Sequence, residues 1–348
     1  MRIRHYGALL ALIALPLAAS SAQRATLPAE SDATLKAVAA AKVFLAALDE
    51  GRRAKVVLDL NKDTRSRWSN LPNGAPGLGF VRNGIKLGDM TPAQQDAALA
   101  LVAATLSPQG YQKIINIVNG DEILEKTSAP ARAAGNRTRF GRAEYYVAIL
   151  GAPSATAPWM IQFGGHHLAL NITVVGAGNV LTPSHTGAQP AIYSLNGQTV
   201  RPLGKENDKA FGLINALDAA QRKQAVLDYQ VADVVLGPGH DGEVIQPEGV
   251  RVSSFNATQR TMLLDLISEW VRILNDHAAA EKMAEIQSNL VDTYFAWSGP
   301  TTNGSRAYFR IQGPKVMIEY APVGPGTDHI HTFYRDPTND YGAERIKP

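Results

Sequence analysis

Four of the eight histidines in this 348-residue chain fall in two close pairs, His166-His167 and His329-Ile330-His331. Residues two apart on a strand point to the same side, so the second pair presents two imidazoles together if that segment is a strand. Val316, Ile318, Tyr320, Ile330 and Tyr334 are apolar and predict the core face of a hairpin, which leaves Glu319, His329, His331 and Arg335 on the other face. A near-symmetric turn centred on Gly324-Pro325-Gly326 predicts Glu319 directly across from His331. In the first pair the neighbours face opposite ways, and Gly164-Gly165 is the kind of sequence that admits a bulge. His167 shares the phase of the polar Asn171 and is the expected site residue. His166 shares the phase of Leu168 and Leu170 and is the expected buried, hydrogen-bonded one.

Imidazoles clustered in this way suit a divalent metal. The chain has no Cys, so nitrogen and oxygen must supply every ligand. His166, His167, His329 and His331 are the candidate ligands, three of them, His167, His329 and His331, coming first, with Glu319 as a fourth ligand or as the general base for a metal-bound water. Zinc is preferred over iron, copper or manganese, and hydrolysis over oxidation, because a carboxylate accompanies the imidazoles. The competing readings are a metal-dependent oxidoreductase and a non-catalytic periplasmic binding protein. The substrate, a small molecule or a piece of a polymer, stays open. His185 and His240 sit in turn-rich segments, and His277 is placed at the C-terminal end of a helix, where an imidazolium meets the dipole favourably.

No Gly-x-Ser-x-Gly, phosphate-binding Gly-x-x-x-x-Gly-Lys or His-Glu-x-x-His motif occurs. Basic residues are scattered without a stripe of aromatics, which argues against nucleic acid. Arg2 and Arg4 precede an apolar run from Ala8 to Ala19, followed by small residues around Ser20 and Ala22. This is the pattern of a signal peptide cleaved after residue 22, and it predicts a periplasmic or secreted protein without a stable membrane anchor. The net charge of +3 then falls to +1 over 23–348, so the basicity says little about partners.

The elements that must position these side chains come in blocks. Helical periodicity predicts helices near 32–50, 92–105, 108–118, 206–216, 219–230, 257–276 and 278–291. Strands are expected at 144–151, 159–175, 306–312, 315–321 and 329–334. Blocks of helix and strand without βαβ alternation predict a single α+β domain, with helical layers on a largely antiparallel sheet. The segments Ala47-Leu48-Asp49 and Ala216-Leu217-Asp218 echo one another, and shared capping chemistry is preferred over duplication of a helical hairpin as the reason.

Tyr308-Phe309-Arg310-Ile311-Gln312-Gly313-Pro314, Ile318-Glu319, His329-Ile330-His331 and Arg335-Asp336-Pro337-Thr338-Asn339-Asp340-Tyr341-Gly342 resemble the bacterial domain-of-unknown-function 3500 family. Gly165-His166-His167-Leu168, Trp68-Ser69-Asn70-Leu71-Pro72 and Tyr294-Phe295-Ala296-Trp297-Ser298-Gly299 extend the likeness over nearly all of the mature chain. The resemblance implies a secreted single-family domain whose motif residues belong together, and supplies neither metal nor reaction. Within that frame Arg335 becomes a candidate for gripping an anionic substrate group through its planar fork. Arg310, Asp336 and Asp340 become weaker substrate-binding candidates, the two acids reading equally as turn caps.

Overall fold

The computed structural model describes residues 32–75 and 79–346, so the expected signal segment lies outside the described residues. The chain is α+β, as its blocks of periodicity predict. The strands are β1 (Val57–Leu58), β2 (Ile85–Lys86), β3 (Tyr146–Leu150), β4 (Trp159–Gly165), β5 (Leu168–Val174), β6 (Ser184–Ala188), β7 (Tyr193–Leu195), β8 (Gln198–Val200), β9 (Val250–Arg251), β10 (Tyr294–Ser298), β11 (Tyr308–Gly313), β12 (Val316–Pro322) and β13 (Ile330–Arg335). Eleven of them form one sheet in the order β1-β3-β4-β5-β6-β13-β12-β11-β10-β9, with β2 beside β3, while β7 and β8 pair separately. Only the β1–β3 pairing in that sheet is parallel among the described strands.

The two sides of this sheet differ. Val147, Ile161, Leu170, Ile311, Ile318 and Tyr334 join one large core with the helical residues Ala37, Phe44, Leu101, Leu263 and Trp270. The opposite face has a smaller apolar cluster, with Trp68, Met160, Ala169, Leu236, Met317, Phe333 and Tyr341. That face is covered by loop segments, and it also carries the buried polar residues Gln162, Asn171, His185, Arg310, Glu319, His331 and Arg335. Strand alternation thus sorts helix-packed apolar residues from a polar layer under loops.

The likeness between 47–53 and 216–222 reaches further than capping. Asp49 caps Glu50–Val56 and Asp218 caps Ala219–Ala225. The next residues then make parallel bridges, Val57 to Ile149 and Val226 to Trp297. Ile85 pairs antiparallel with Val147 as Val250 does with Phe295. Capping boxes Thr91/Gln94 and Asn256/Gln259 start the helices Pro92–Thr105 and Ala257–Val271. Each capping glutamine also donates Nε2 to the preceding helix end, Gln94 to the Ala47 carbonyl and Gln259 to the Ala216 carbonyl, both at 2.9 Å. Each half closes with a four-stranded meander, β3-β4-β5-β6 and β10-β11-β12-β13, and the halves join where β6 pairs with β13. The chain is therefore two copies of one arrangement fused through a single sheet.

Several boundaries differ from expectation. The helix from Pro108 runs on to Thr127, and the one expected to reach residue 276 ends at Val271. His277 consequently lies in the first turn of Asp276–Ser288, not at a helix C-terminus, with Glu281 3.5 Å from its Nε2. The continuous strand expected at 159–175 is instead a hairpin, β4 and β5, because Gly165 pairs with Leu168 and leaves only His166-His167 to turn the chain. No helix among the described residues is long and apolar enough to cross a membrane.

Candidate metal centre

The β4–β5 turn sets the first pair of imidazoles. His167 has φ 61°, a left-handed conformation that a non-glycine residue adopts only under constraint. The constraint is visible at three backbone groups. His167 N–H donates to the Asn70 carbonyl at 3.0 Å, Gly187 N–H donates to the His167 carbonyl at 2.7 Å, and the Tyr145 hydroxyl donates to the His166 carbonyl at 2.7 Å. Gly165 permits this arrangement, since a Cβ there would stand 3.0 Å from the Tyr145 ring. The expected bulge at Gly164-Gly165 is thus replaced by a tight turn, which places both histidines at one end of the sheet without the alternation of a strand.

At that end β13 begins. His329 just precedes the strand and His331 lies on it, on the loop-covered face with Phe333 and Arg335. The two pairs of histidines meet. His167 Nε2 is 2.8 Å from His329 Nε2, which is 3.0 Å from His331 Nε2. The His166 ring stacks on that of His167 with centroids 3.6 Å apart. Ring nitrogens of His166, His167 and His329 all lie within 4.8 Å of one another, a group able to hold a metal ion. His166, His167 and His331 are buried and His329 is partly exposed, so the cluster opens on the His329 side.

Two carboxylates stand behind the imidazoles. His166 Nδ1 is 2.6 Å from Oδ1 of Asp121, a buried residue of the helix Pro108–Thr127 whose other oxygen accepts the Gly141 N–H. His331 Nδ1 is 2.8 Å from Asp233 Oδ1. A carboxylate can only accept, so each of these rings carries its proton on Nδ1 and keeps a lone pair on Nε2. Carboxylate-backed imidazoles are the usual outer shell of a metal site.

Burial disfavours the charged form of His166, His167, His185 and His329. It pushes the His167 and His185 pKa values well below the ordinary imidazole value, and the neighbouring imidazoles push the same way. Burial, followed by the charges of His331 and His166, lowers His329 to about 4. His166 is lowered by burial despite the opposing hydrogen bond it donates to Asp121. For Asp233, burial raises the pKa, but the hydrogen bond and charge of His331 outweigh it and leave a net lowering. Neutral imidazole is the protonation state that metal binding requires.

His185, expected in a loop, is a strand residue of β6 and belongs to this neighbourhood. Its ring meets that of His331 edge to face with centroids 5.1 Å apart, it is fully buried, and neither nitrogen has a hydrogen-bond partner. The alternation His185-Thr186-Gly187 was the available sequence signal, hidden by the flanking prolines. Asp121 and Asp233 carry no such signal, being 45 and 98 residues from the histidines they touch.

The remaining candidates are placed elsewhere. Glu319 shares the face of His331 but pairs with Phe333, whereas Ala321 stands opposite His331, so the expected cross-strand pair is corrected by two residues of register. The turn between β12 and β13 is asymmetric about Gly324-Pro325-Gly326, which moves the register. Glu319 accepts from Val235 N–H and Leu236 N–H, each at 2.8 Å, and from the Tyr308 hydroxyl at 2.7 Å. Those bonds fasten the 233–236 segment that carries Asp233. Arg335 lies four residues along β13 from His331, roughly 13 Å at the strand rise. Its Nε donates to Asp340 at 2.7 Å and its Nη1 to the carbonyls of His240 and Glu243. Asp340 also accepts the Asp336 N–H, and burial, opposed by Arg335, raises its pKa to about 6. Asp336 pairs with Lys282 and accepts from Thr338, while Arg310 donates to Glu248 at 2.6 Å. These residues anchor loops over the sheet and do not touch the imidazoles. Trp159 and Trp297 are packed in the helix-side core, and Trp68 stacks on Phe333.

No curated protein and no solved structure matches this chain. A family model described as "Protein of unknown function (DUF3500)" matches residues 30–343, nearly the whole length, and the chain belongs to that family.

Proposed function

We propose that the imidazole cluster holds a divalent metal, zinc in preference to iron, copper or manganese, and that the protein is a metal-dependent hydrolase. The observation that carries the reading is the contact of three Nε2 atoms, His167 to His329 to His331, at 2.8 and 3.0 Å. Each Nε2 has one in-plane position, holding either a proton or a lone pair, so His329 cannot serve both neighbours well in a neutral, metal-free cluster. One cation satisfies all three. With metal–nitrogen bonds of about 2.0–2.1 Å, tetrahedral ligands stand roughly 3.3 Å apart, close to the His167–His329 and His329–His331 separations of 2.8 and 3.0 Å. His166, backed by Asp121, supports the cluster from behind through its stack on His167.

Three imidazole nitrogens would leave a metal room for a fourth ligand, and the cluster opens on the His329 side. A metal held by three imidazoles lowers the pKa of a bound water toward about 7, which is the chemistry of hydrolysis at neutral pH. Asp121 and Asp233 hold the ring orientations, and Glu319 holds the segment bearing Asp233. The apolar run of 8–19 supports placing this activity in the periplasm or outside the cell.

The test is hydrolysis of nitrophenyl carboxylic and phosphate esters by chelator-treated and metal-restored protein. Activity should vanish on chelation, return with zinc, and be absent in His329→Ala. Stoichiometric metal with no hydrolysis, together with oxidation of a reductant by the copper or iron form, would replace hydrolase by oxidoreductase. Absence of metal retention would leave an imidazole network.

A further inference from the structure

Asn70 can hold His167 only as firmly as it is held itself, and one side chain grips the chain on both sides of it. Arg82 Nη2 donates to the Ser69 carbonyl at 2.9 Å and to the Leu71 carbonyl, and its Nε also reaches Ser69 at 3.3 Å. Between these two, the Asn70 carbonyl accepts the His167 N–H at 3.0 Å. Arg82 Nη1 donates to Asn73 Oδ1 at 2.7 Å, and Nη2 lies 3.5 Å from the carbonyl of Gly165, which opens the histidine turn. One guanidinium therefore ties the 69–73 segment to that turn.

Arg82 is buried, and each acceptor it uses is a neutral carbonyl or amide oxygen. Burial lowers its pKa to about 10, which still leaves it protonated at neutral pH. A buried cation bonded only to neutral oxygens is costly, so its fork is kept for geometry and not for charge pairing. The second half supplies a comparison. Gly84 and Gly249, both at positive φ, precede Ile85 and Val250, and a Cβ on either would collide with a strand carbonyl, that of Val147 or of Phe295. This alignment places Pro247 where the first half has Arg82. Proline offers no side-chain donor, and the turn Pro314-Lys315, between Gly313 and Val316, has no left-handed residue. The guanidinium and the left-handed turn residue occur together in one half and are both missing from the other.

We propose that Arg82 is a positioning residue of the metal centre, its fork fixing the Asn70 carbonyl where it keeps His167 left-handed and the His167 ring on His329. Released from that hydrogen bond, His167 is free to return to negative φ, which turns its Cα–Cβ bond and takes Nε2 away from His329. The consequence for metal affinity rests on the cluster being a metal site, and the consequence for the His167 backbone does not.

The experiment compares the wild type with Arg82→Lys, Arg82→Gln and, as a control, Arg310→Lys, which alters a buried arginine that holds Glu248 in the other half. Two quantities are read: hydrogen exchange of the His167 amide in the metal-free protein, against the amides of the β4–β5 ladder, and zinc affinity in competition with a chromophoric chelator. Arg82→Lys keeps the charge and loses the fork. It should speed His167 exchange about tenfold relative to the ladder and weaken zinc about tenfold, the size expected for loss of a group behind a ligand. Arg82→Gln should exceed it in both, and Arg82→Lys carries the test if Arg82→Gln does not fold. Arg310→Lys should leave both quantities at wild-type values. A merely structural arginine would move His167 and the ladder together. The proposal is overturned if His167 exchange keeps step with the ladder in Arg82→Lys, if that variant binds zinc as tightly as the wild type, or if Arg310→Lys reproduces either effect. A wild type that holds no zinc defeats the metal reading, and the exchange comparison then still decides whether Arg82 positions His167.

Discussion

The turns His166-His167 and Pro314-Lys315 occupy corresponding places in the two halves and carry different chemistry. Both join strands in the same register, with Gly165 opposite Leu168 and Gly313 opposite Val316. Both opening glycines are pressed by corresponding residues, Gly165 by the Tyr145 ring and Gly313 by the Thr293 side chain. Yet His167 is left-handed whereas Lys315 has negative φ. The first turn gathers neutral imidazoles backed by Asp121, and the second gathers an ion-pair network of Lys315, Glu285 and Glu344. One arrangement of strands thus supports either an imidazole cluster or a charged one, and the side chains at a few positions decide which.

The comparison breaks most severely if metal binding ignores the half in which a substitution is made. Removal of the central ligands, by His167→Ala or His329→Ala, should abolish retention of zinc after gel filtration. Lys315→Ala in the corresponding turn should leave it at the wild-type stoichiometry. The expected effect behind the ligands is smaller: Asp121→Asn and Asp233→Asn should each weaken zinc by about 10- to 100-fold in competition with a chromophoric chelator. Glu285→Gln, the second-half counterpart, should leave affinity unchanged.

The smallest effect is on stability against pH. Folded-state pKa values of His167, His185 and His329 lie below the unfolded value of about 6.5. Below that value the unfolded chain takes up protons that the fold refuses, so stability of the metal-free protein should be full above pH 6.5 and fall toward pH 4. The charged cluster works otherwise. Side-chain hydrogen bonds from Lys282 and Lys315 outweigh burial and lower Glu285, and its hydrogen bond to Glu285 chiefly raises Lys315. Lys315→Ala should therefore leave the steepness of the denaturant midpoint over pH 6.5 to 5 unchanged, because Glu285 acts only around and below the ordinary carboxyl value of 4.5, while His185→Phe should flatten it.

Much of this was legible in the residues. The alternation of Val316, Ile318 and Tyr320 marked the helix-packed face, and with it the loop-covered face that holds Glu319 and His331. Thr91-Pro92-Ala93-Gln94 and Asn256-Ala257-Thr258-Gln259 are capping boxes legible as helix starts in both halves. The β4–β5 turn was not legible, because the apolar alternation continues on either side of it and nothing local shows that Tyr145 and Asn70 pin a left-handed His167. The register of Glu319 depended on loop geometry, and Asp121 and Asp233 reach the site through folding alone. The repeat was obscured because the helices keep their capping residues while the turns and loops diverge.

The central claim is that one cation sits among these imidazoles. Its most direct test is anomalous scattering at the zinc edge from crystals of the metal-loaded protein. The account predicts a single strong peak about 2 Å from Nε2 of His167, His329 and His331, absent in His329→Ala. A peak elsewhere, or none with His329 Nε2 still in contact with those of His167 and His331, would contradict it.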